Sequence, residues 1–469
     1  MKQSARTIAA VAAAVFLGGR AQAGAPRFDT SWSPSLGTPS ATRFGDEAFA
    51  VTIDPQGNVY AFYQDHAEDK IACTRYFSNR ALDAIDSTSN NTSNNPRGPG
   101  KVAKPFVAFA GNRYLYVAGA SHDGPGAAAE SYWYIMRFTK EPCAPVPWSA
   151  NAGGLWSSTG ARYSVSSNGA ALYGVTNGYD EIDGLYVDPD ENRITVSGHH
   201  GVPNSSYAPG VEGQVGLARF DGRTGLPIWA TTYHVSGGGS KGHYDAADGA
   251  LAIYASGGAR YIYVAGRQGG GGIAGVGAKA LVLRYTDLGD TPPEAPVAAT
   301  PWAHPNPFLG PVATAGAVVD ATGVYVGGYL ANFFGGVPSG SFVLKFDLGL
   351  AAQTAAPYLP PEAESRFTRT VAIDNDRGRG YVYVIGAAKS GGSGGDTSLV
   401  RLDASSLMKD AAAAPNFCHQ SSVACADNTE QTPGGIAKLG DQFYIVGFST
   451  GFPGFTNKKN PLLYSAVGF

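Results

Sequence analysis

Charge is scarce in this chain. Lys, Arg, Asp and Glu make up 15% of 469 residues and sum to a net −3, too weak a field to grip nucleic acid or an anionic membrane. After the first 23 residues nothing approaches the roughly 18 apolar residues a membrane span needs, and no run with a 3.6-residue helical period stands out. Cysteine is limited to Cys73, Cys143, Cys418 and Cys425. None lies at CxxC spacing from another and only His419 is adjacent to one, which speaks against a zinc site. There is no Gly-x-Ser-x-Gly elbow, and residues 237–241 lack the spacing and following helix of a phosphate-binding loop. The turn Asp188-Pro189-Asp190-Glu191-Asn192 lacks the Asp ladder and distal Glu of a calcium loop. No metal-ligand set and no cofactor is predicted.

What is present begins with a targeting segment. Lys2 and Arg6 precede an apolar run over residues 7–19, and Ala21-Gln22-Ala23 is the small-x-small pattern of a signal peptidase site. A signal peptide over residues 1–23, cleaved after Ala23, is expected. No cysteine follows the site, so lipid anchoring there is not expected, and the mature chain should be exported to a bacterial periplasm or beyond. Four cysteines in an exported chain allow three pairings and read as staples. Cys418 with Cys425 closes a short polar loop; Cys73 with Cys143 would join related outer positions of neighbouring repeats.

One pattern recurs along the chain, a strand and turn followed by a strand ending near Tyr-Val-x-Gly. Its seven copies end at Tyr63, Gly119, Gly198, Gly266, Gly328, Gly386 and Gly447, at intervals of 56, 79, 68, 62, 58 and 61 residues. That period suits one four-stranded unit with loops and fits radial repetition. In the third copy, residues 182–187, 193–197, 215–220 and 228–233 read as four successive strands of an up-and-down sheet. Turns of Asp, Asn, Pro and Gly at Asp54-Pro55-Gln56-Gly57-Asn58 and Asp188-Pro189-Asp190-Glu191-Asn192 are structural by default. The third strands each place one cation, Arg137, Arg219, Arg284, Lys345 or Arg401, between apolar neighbours, as structural pairing partners do.

The order of apolar strand, Asp-x-x-Gly-Asn turn, Val-Tyr-Val-x-Gly and Leu-x-Arg-Phe-Asp resembles the bacterial seven-bladed β-propeller repeat of exported proteins, the SBBP type, over essentially the whole mature chain. The resemblance implies an all-β fold: a seven-bladed β-propeller of four-stranded antiparallel blades, forming one domain over residues 24–469. Residues 29–33 read as a fourth strand without the preceding three, and residues 462–466 as a third strand without a fourth. The N-terminal strand is therefore expected to close the last blade and leave no free edge. A single phrase around Trp229, residues 218–229, also resembles the tryptophan-docking repeat of quinoprotein propellers; its lone occurrence does not support a bound quinone.

In such a ring the loops between second and third strands all emerge on one face, and they are the long ones. Binding residues concentrate in loops held by a rigid scaffold, so a candidate rim is Asp65, His66, His122, Asp123, His199, His200, His243, Arg267 and Lys389, with Tyr179, Asp180 and Glu181 brought to the same face. Five of the eight histidines fall there, although histidines in polar Gly-rich loops are most often simply solvated. Two functions follow. The first is a non-catalytic monomer whose long-loop face binds a glycan, a peptide or an envelope protein, with Tyr179, Tyr207, Tyr329, Phe333 and Phe334 as stacking surfaces. The second is a polysaccharide lyase or hydrolase using a rim histidine as base, a nearby Tyr as acid and Arg267 or Lys389 to neutralise a carboxylate. A metal-bound pair among His66, His122, His199 and His200 would favour the second.

Overall fold

The computed structural model describes residues 27–29, 47–65, 70–81, 102–122, 131–149, 154–155, 161–165, 171–175, 178–203, 214–233, 246–268, 279–305, 309–332, 337–359, 367–374, 380–389, 395–409, 431–452 and 455–467. Among these there is no helix; the ordered elements are antiparallel strands. A short β1 (Arg27–Asp29) comes first. Sheet one is β2 (Glu47–Ile53), β3 (Val59–Asp65) and β4 (Lys70–Tyr76). Sheet two is β5 (Val102–Ala110), β6 (Tyr114–His122) and β7 (Ser131–Thr139), to whose outer side β8 (Gly154–Leu155), β9 (Ala161–Val165) and β10 (Ala171–Val175) are added in the order β7-β10-β9-β8. Sheet three is β11 (Gly178–Val187), β12 (Arg193–Pro203), β13 (Gln214–Asp221) and β14 (Pro227–Tyr233). Sheet four is β15 (Ala246–Ser256), β16 (Ala259–Gln268), β17 (Lys279–Thr286) and β18 (Ala298–Trp302). Sheet five is β19 (Leu309–Asp320), β20 (Gly323–Asn332) and β21 (Val337–Phe346), and sheet six is β22 (Phe367–Asp374), β23 (Tyr381–Lys389) and β24 (Gly395–Asp403). Sheet seven is β25 (Gln431–Leu439), β26 (Gln442–Phe452) and β27 (Phe455–Val467), with β1 paired on β27 from Arg27 opposite Val467 to Asp29 opposite Ser465.

The sheets are stacked radially, as in a β-propeller. Their first strands pack one on the next in chain order, and β25 packs on β2. The apolar core is correspondingly divided into layers between neighbouring sheets. On β3, Tyr60 and Phe62 enter the layer shared with sheet two, while Val59, Ala61 and Tyr63 enter the layer shared with sheet seven. On β16, Ile262 and Val264 face sheet three, and Tyr263 and Ala265 face sheet five. A strand buried on both faces needs apolar residues at successive positions, which is why the second-strand motif reads as a continuous apolar run. Each fully buried Val, Leu or Phe contributes about 1.5–3 kcal/mol.

The third-strand cations work between sheets. Arg137 donates to the carbonyl of Gly222 in sheet three, where Trp148 Nε1 also donates. Arg219 and Trp229 Nε1 donate together to the carbonyl of Gly289, and Arg284 and Tyr263 to that of Leu348. Tyr325 reaches the carbonyl of Ala404 in the same way. The acceptor is each time in the turn after the next sheet's third strand, so the repeating cation and its aromatic neighbour latch one sheet to the following one. Arg219 lies 5.1 Å from the Trp229 ring centre and Arg137 4.8 Å from that of Trp148, within cation–π range. The docking phrase around Trp229 thus has a structural role.

The four-stranded expectation holds for sheets three and four, and for sheet seven with β1 as its fourth strand, and needs revision in the other sheets among the described residues. Beyond β21 and β24 the fourth position is held by isolated bridges such as Val343 to Tyr358 and Leu402 to Lys409, while beside β7 it is shared by β10, paired at Trp133 to Ile135, and the bridge from Phe138 to Pro145. Pro142, Pro145 and Pro147 in one such segment lack the N–H a ladder requires. The 79-residue interval before Gly198, the longest in the chain, contains the additional strands β8 to β10. The Cys73–Cys143 disulfide joins sheet one to the segment after β7, with Cα atoms 6.3 Å apart. Cys418 and Cys425 lie outside the described residues.

Candidate functional site

The second strands run past the motif glycine. Asp65, His122, His199, His200, Arg267 and Lys389 therefore lie in strands β3, β6, β12, β16 and β23 and not in the loops expected for them. His66, Asp123 and His243 lie outside the described residues. His199 also departs from the picture of a solvated histidine: it is only 6% exposed.

The reason lies in a recurring irregularity. Opposite the motif glycine the first strands of sheets two, three, five and six carry a β-bulge: between Pro105 and Val107 facing Gly119, between Ile182 and Gly184 facing Gly198, between Thr314 and Gly316 facing Gly328, and between Thr368 and Thr370 facing Gly386. A Cβ on Gly198 would sit 1.8 Å from the Glu181 carbonyl oxygen, and one on Gly119 would sit 1.9 Å from that of Lys104. At these two positions only a residue without a side chain lets the bulged backbone approach so closely. The extra residue in the bulge is Phe106 in sheet two, Ala315 in sheet five and Arg369 in sheet six. In sheet three it is Asp183.

That bulge assembles a polar cluster. Glu181 stands directly opposite His199 in the β11–β12 ladder, and the extra residue turns the Asp183 side chain toward the same histidine. His199 Nδ1 is 3.4 Å from Asp183 Oδ2. One ligand-type atom from each of Glu181, Asp183 and His199 lies within 4.8 Å of the others, with the imidazole buried and both acids half-buried. From sheet two, Trp133 Nε1 donates to the His199 carbonyl at 2.6 Å and ties the strand to its neighbour. Two residues before His199, and so on the same side of β12, Ser197 Oγ is buried without a hydrogen-bond partner. The cluster lies at the end of β12 from which the connection to the third strand departs. An imidazole held by a carboxylate can accept or deliver a proton or bind a cation, and the adjacent Glu181 adds a second anionic donor.

Sequence reasoning placed Glu181 and His199 on this face but missed Asp183. A signal was present: Asp183-Gly184 interrupts an apolar strand run, and a glycine inside such a run marks a bulge. The turn once weighed as a calcium loop is otherwise engaged, since Asp188 pairs with Arg260 and lies 3.9 Å from Arg193.

No family model and no curated protein matches the chain. Among solved structures, the chain is similar to the polysaccharide lyase Uly1 at 10% identity and TM-score 0.48, over 92% of this chain and 91% of that one. It is similar to prolyl oligopeptidase B from Galerina marginata at 10% identity and TM-score 0.44, over 90% of this chain but 51% of that one, about half its length. It is also similar to the β-propeller domain of the Trilobed protease from Pyrococcus furiosus at 8% identity and TM-score 0.38, over 89% and 95% of the two chains.

Proposed function

We propose that the chain is a seven-bladed β-propeller, closed by β1 on β27 and exported after removal of residues 1–23, that binds a glycan, peptide or envelope protein on the face where second strands meet their following loops. The observation that carries this is the Glu181, Asp183 and His199 cluster. It concentrates hydrogen-bonding and ionic groups at one end of a body whose interior layers are apolar, and a few convergent polar groups on a rigid scaffold are what a binding site requires. The seven-sheet count, the β1 pairing with β27 and the packing of β25 on β2 support closure.

A second reading is supported by the His199–Asp183 pair: a polysaccharide lyase or hydrolase in which His199 is the general base, Asp183 orients it and Arg267 on the next sheet neutralises a substrate carboxylate. Glycan and peptide arrays probed with the mature chain, beside incubation of retained glycans with the protein, separate the two. The binding reading expects a retained ligand recovered uncleaved, with retention reduced in Asp183→Asn. Release of new reducing ends or unsaturated sugars that stops in His199→Gln would replace it with the enzyme reading, and a ligand bound equally by Asp183→Asn would move the site elsewhere.

A further inference from the structure

We propose that Glu181, Asp183 and His199 bind one divalent transition-metal ion. The argument begins with distance. A hydrogen bond between imidazole and carboxylate settles at about 2.9 Å, whereas His199 Nδ1 and Asp183 Oδ2 are 3.4 Å apart. Two ligands on a tetrahedral ion with bonds of about 2.1 Å are held about 3.4 Å from each other. The pair therefore stands at a separation that two co-ligands also have, and the ligand atom of Glu181 lies within 4.8 Å of both.

Chemistry and rigidity point the same way. Two carboxylates so close together, both partly withdrawn from water, repel, and a shared cation turns that repulsion into attraction. The donor set of one nitrogen and two oxygens suits zinc or manganese better than calcium, which takes six to eight oxygens. The strand pairing fixes Glu181 opposite His199, the bulge sets Asp183, and the indole of Trp133 holds the His199 carbonyl, so the site is built on paired strands and not on loops. The partnerless hydroxyl of Ser197, buried on the His199 side of β12, is a further polar group available to a water on the ion. Three protein ligands leave a coordination position open. Through it the ion could take a hydroxyl or carboxylate of a ligand, an extension that rests on the binding role proposed above, whereas the ion site itself does not.

The test uses the whole mature chain, stripped with a chelator and dialysed. Calorimetric titration with zinc, manganese and calcium chlorides, and elemental analysis after desalting, should show one zinc per chain with calcium far weaker. Glu181→Gln and Asp183→Asn should each weaken zinc by more than the roughly 10–100-fold that losing an outer partner costs, while His304→Ala, outside the cluster, leaves it unchanged. These carboxamide variants keep side-chain volume, so a folding failure of His199→Ala would not blunt the test. Absence of zinc and manganese binding, or zinc bound by both variants as tightly as by the unsubstituted chain, would overturn the proposal. Neither result depends on whether a glycan or peptide is ever retained, so the two proposals fail separately.

Discussion

Asp287 has a side chain only 2% exposed and is held by two guanidinium groups, Arg219 at 2.6 Å and Arg260 at 3.1 Å. Burial alone would raise its pKa, but the hydrogen bond and charge of Arg219, with help from Arg260, outweigh it and hold the carboxyl below the ordinary aspartate value. A depressed folded-state pKa contributes stability that is complete above the unfolded value, near 4, and is lost as pH falls through the folded one. Arg219→Met should therefore cost on the order of 3 kcal/mol at neutral pH, because it removes one partner of a buried pair and leaves the carboxylate with Arg260 alone. Denaturant titrations should show that difference shrinking as pH falls below the unfolded-state aspartate value near 4 and toward the depressed folded one; a difference constant from pH 7 to 3 would contradict the pairing. His199 also behaves differently from a loop residue. Its replacement by Ala should cost about 1–3 kcal/mol through lost burial and hydrogen bonding, measurable by the same titrations.

At the scale of a strand pair, two glycines with different physics separate the effects of space and backbone. Gly198 faces the bulge, and its Cβ would collide with the Glu181 carbonyl oxygen at 1.8 Å. Gly198→Ala should cost about 3 kcal/mol or more, since rigid backbone must move, and should also displace Glu181 from the cluster. Gly258 lies in the two-residue turn between β15 and β16 at φ +81°, with nothing within 4 Å of its Cβ position. Gly258→Ala carries only the left-handed backbone penalty, about 1 kcal/mol. Thermal unfolding of the two variants tests the ranking; equal losses would show that the bulge tolerates a side chain.

Over the whole molecule, stability depends on the sheets remaining next to each other. The Cys73–Cys143 bridge spans 70 residues and ties the segment after β7 to sheet one within the layer between sheets one and two, and a loop of that length gains about 4 kcal/mol in the chain-entropy model. Replacing both cysteines with Ser should lower the melting temperature without changing the number of transitions. Removing residues 25–36 deletes β1 and exposes the edge of β27. If closure makes the ends cooperative, the truncated chain melts lower in one transition and gains a tendency to self-associate through that edge; an unchanged melting temperature would show that β1 is dispensable.

The sequence alone determined the strand content, the repeat and the position of most second and third strands, because a strand buried on both faces must be apolar at successive positions and turns must carry Asp, Asn, Pro or Gly. It also showed that one cation recurs per third strand. Tertiary structure decided what that cation holds, because its acceptor is a carbonyl 64 to 85 residues away in the next sheet. The motif glycine was legible as a strand ending, yet its cause is the bulge on the partner strand, which has no fixed sequence: Phe106, Asp183, Ala315 and Arg369 occupy equivalent extra positions. For that reason Asp183 was hidden among the acids of a single strand. Pairing register alone sets Glu181 opposite His199 and aims the bulged carboxylate at the same ring, a convergence that depends on three-dimensional packing and leaves no spacing to read.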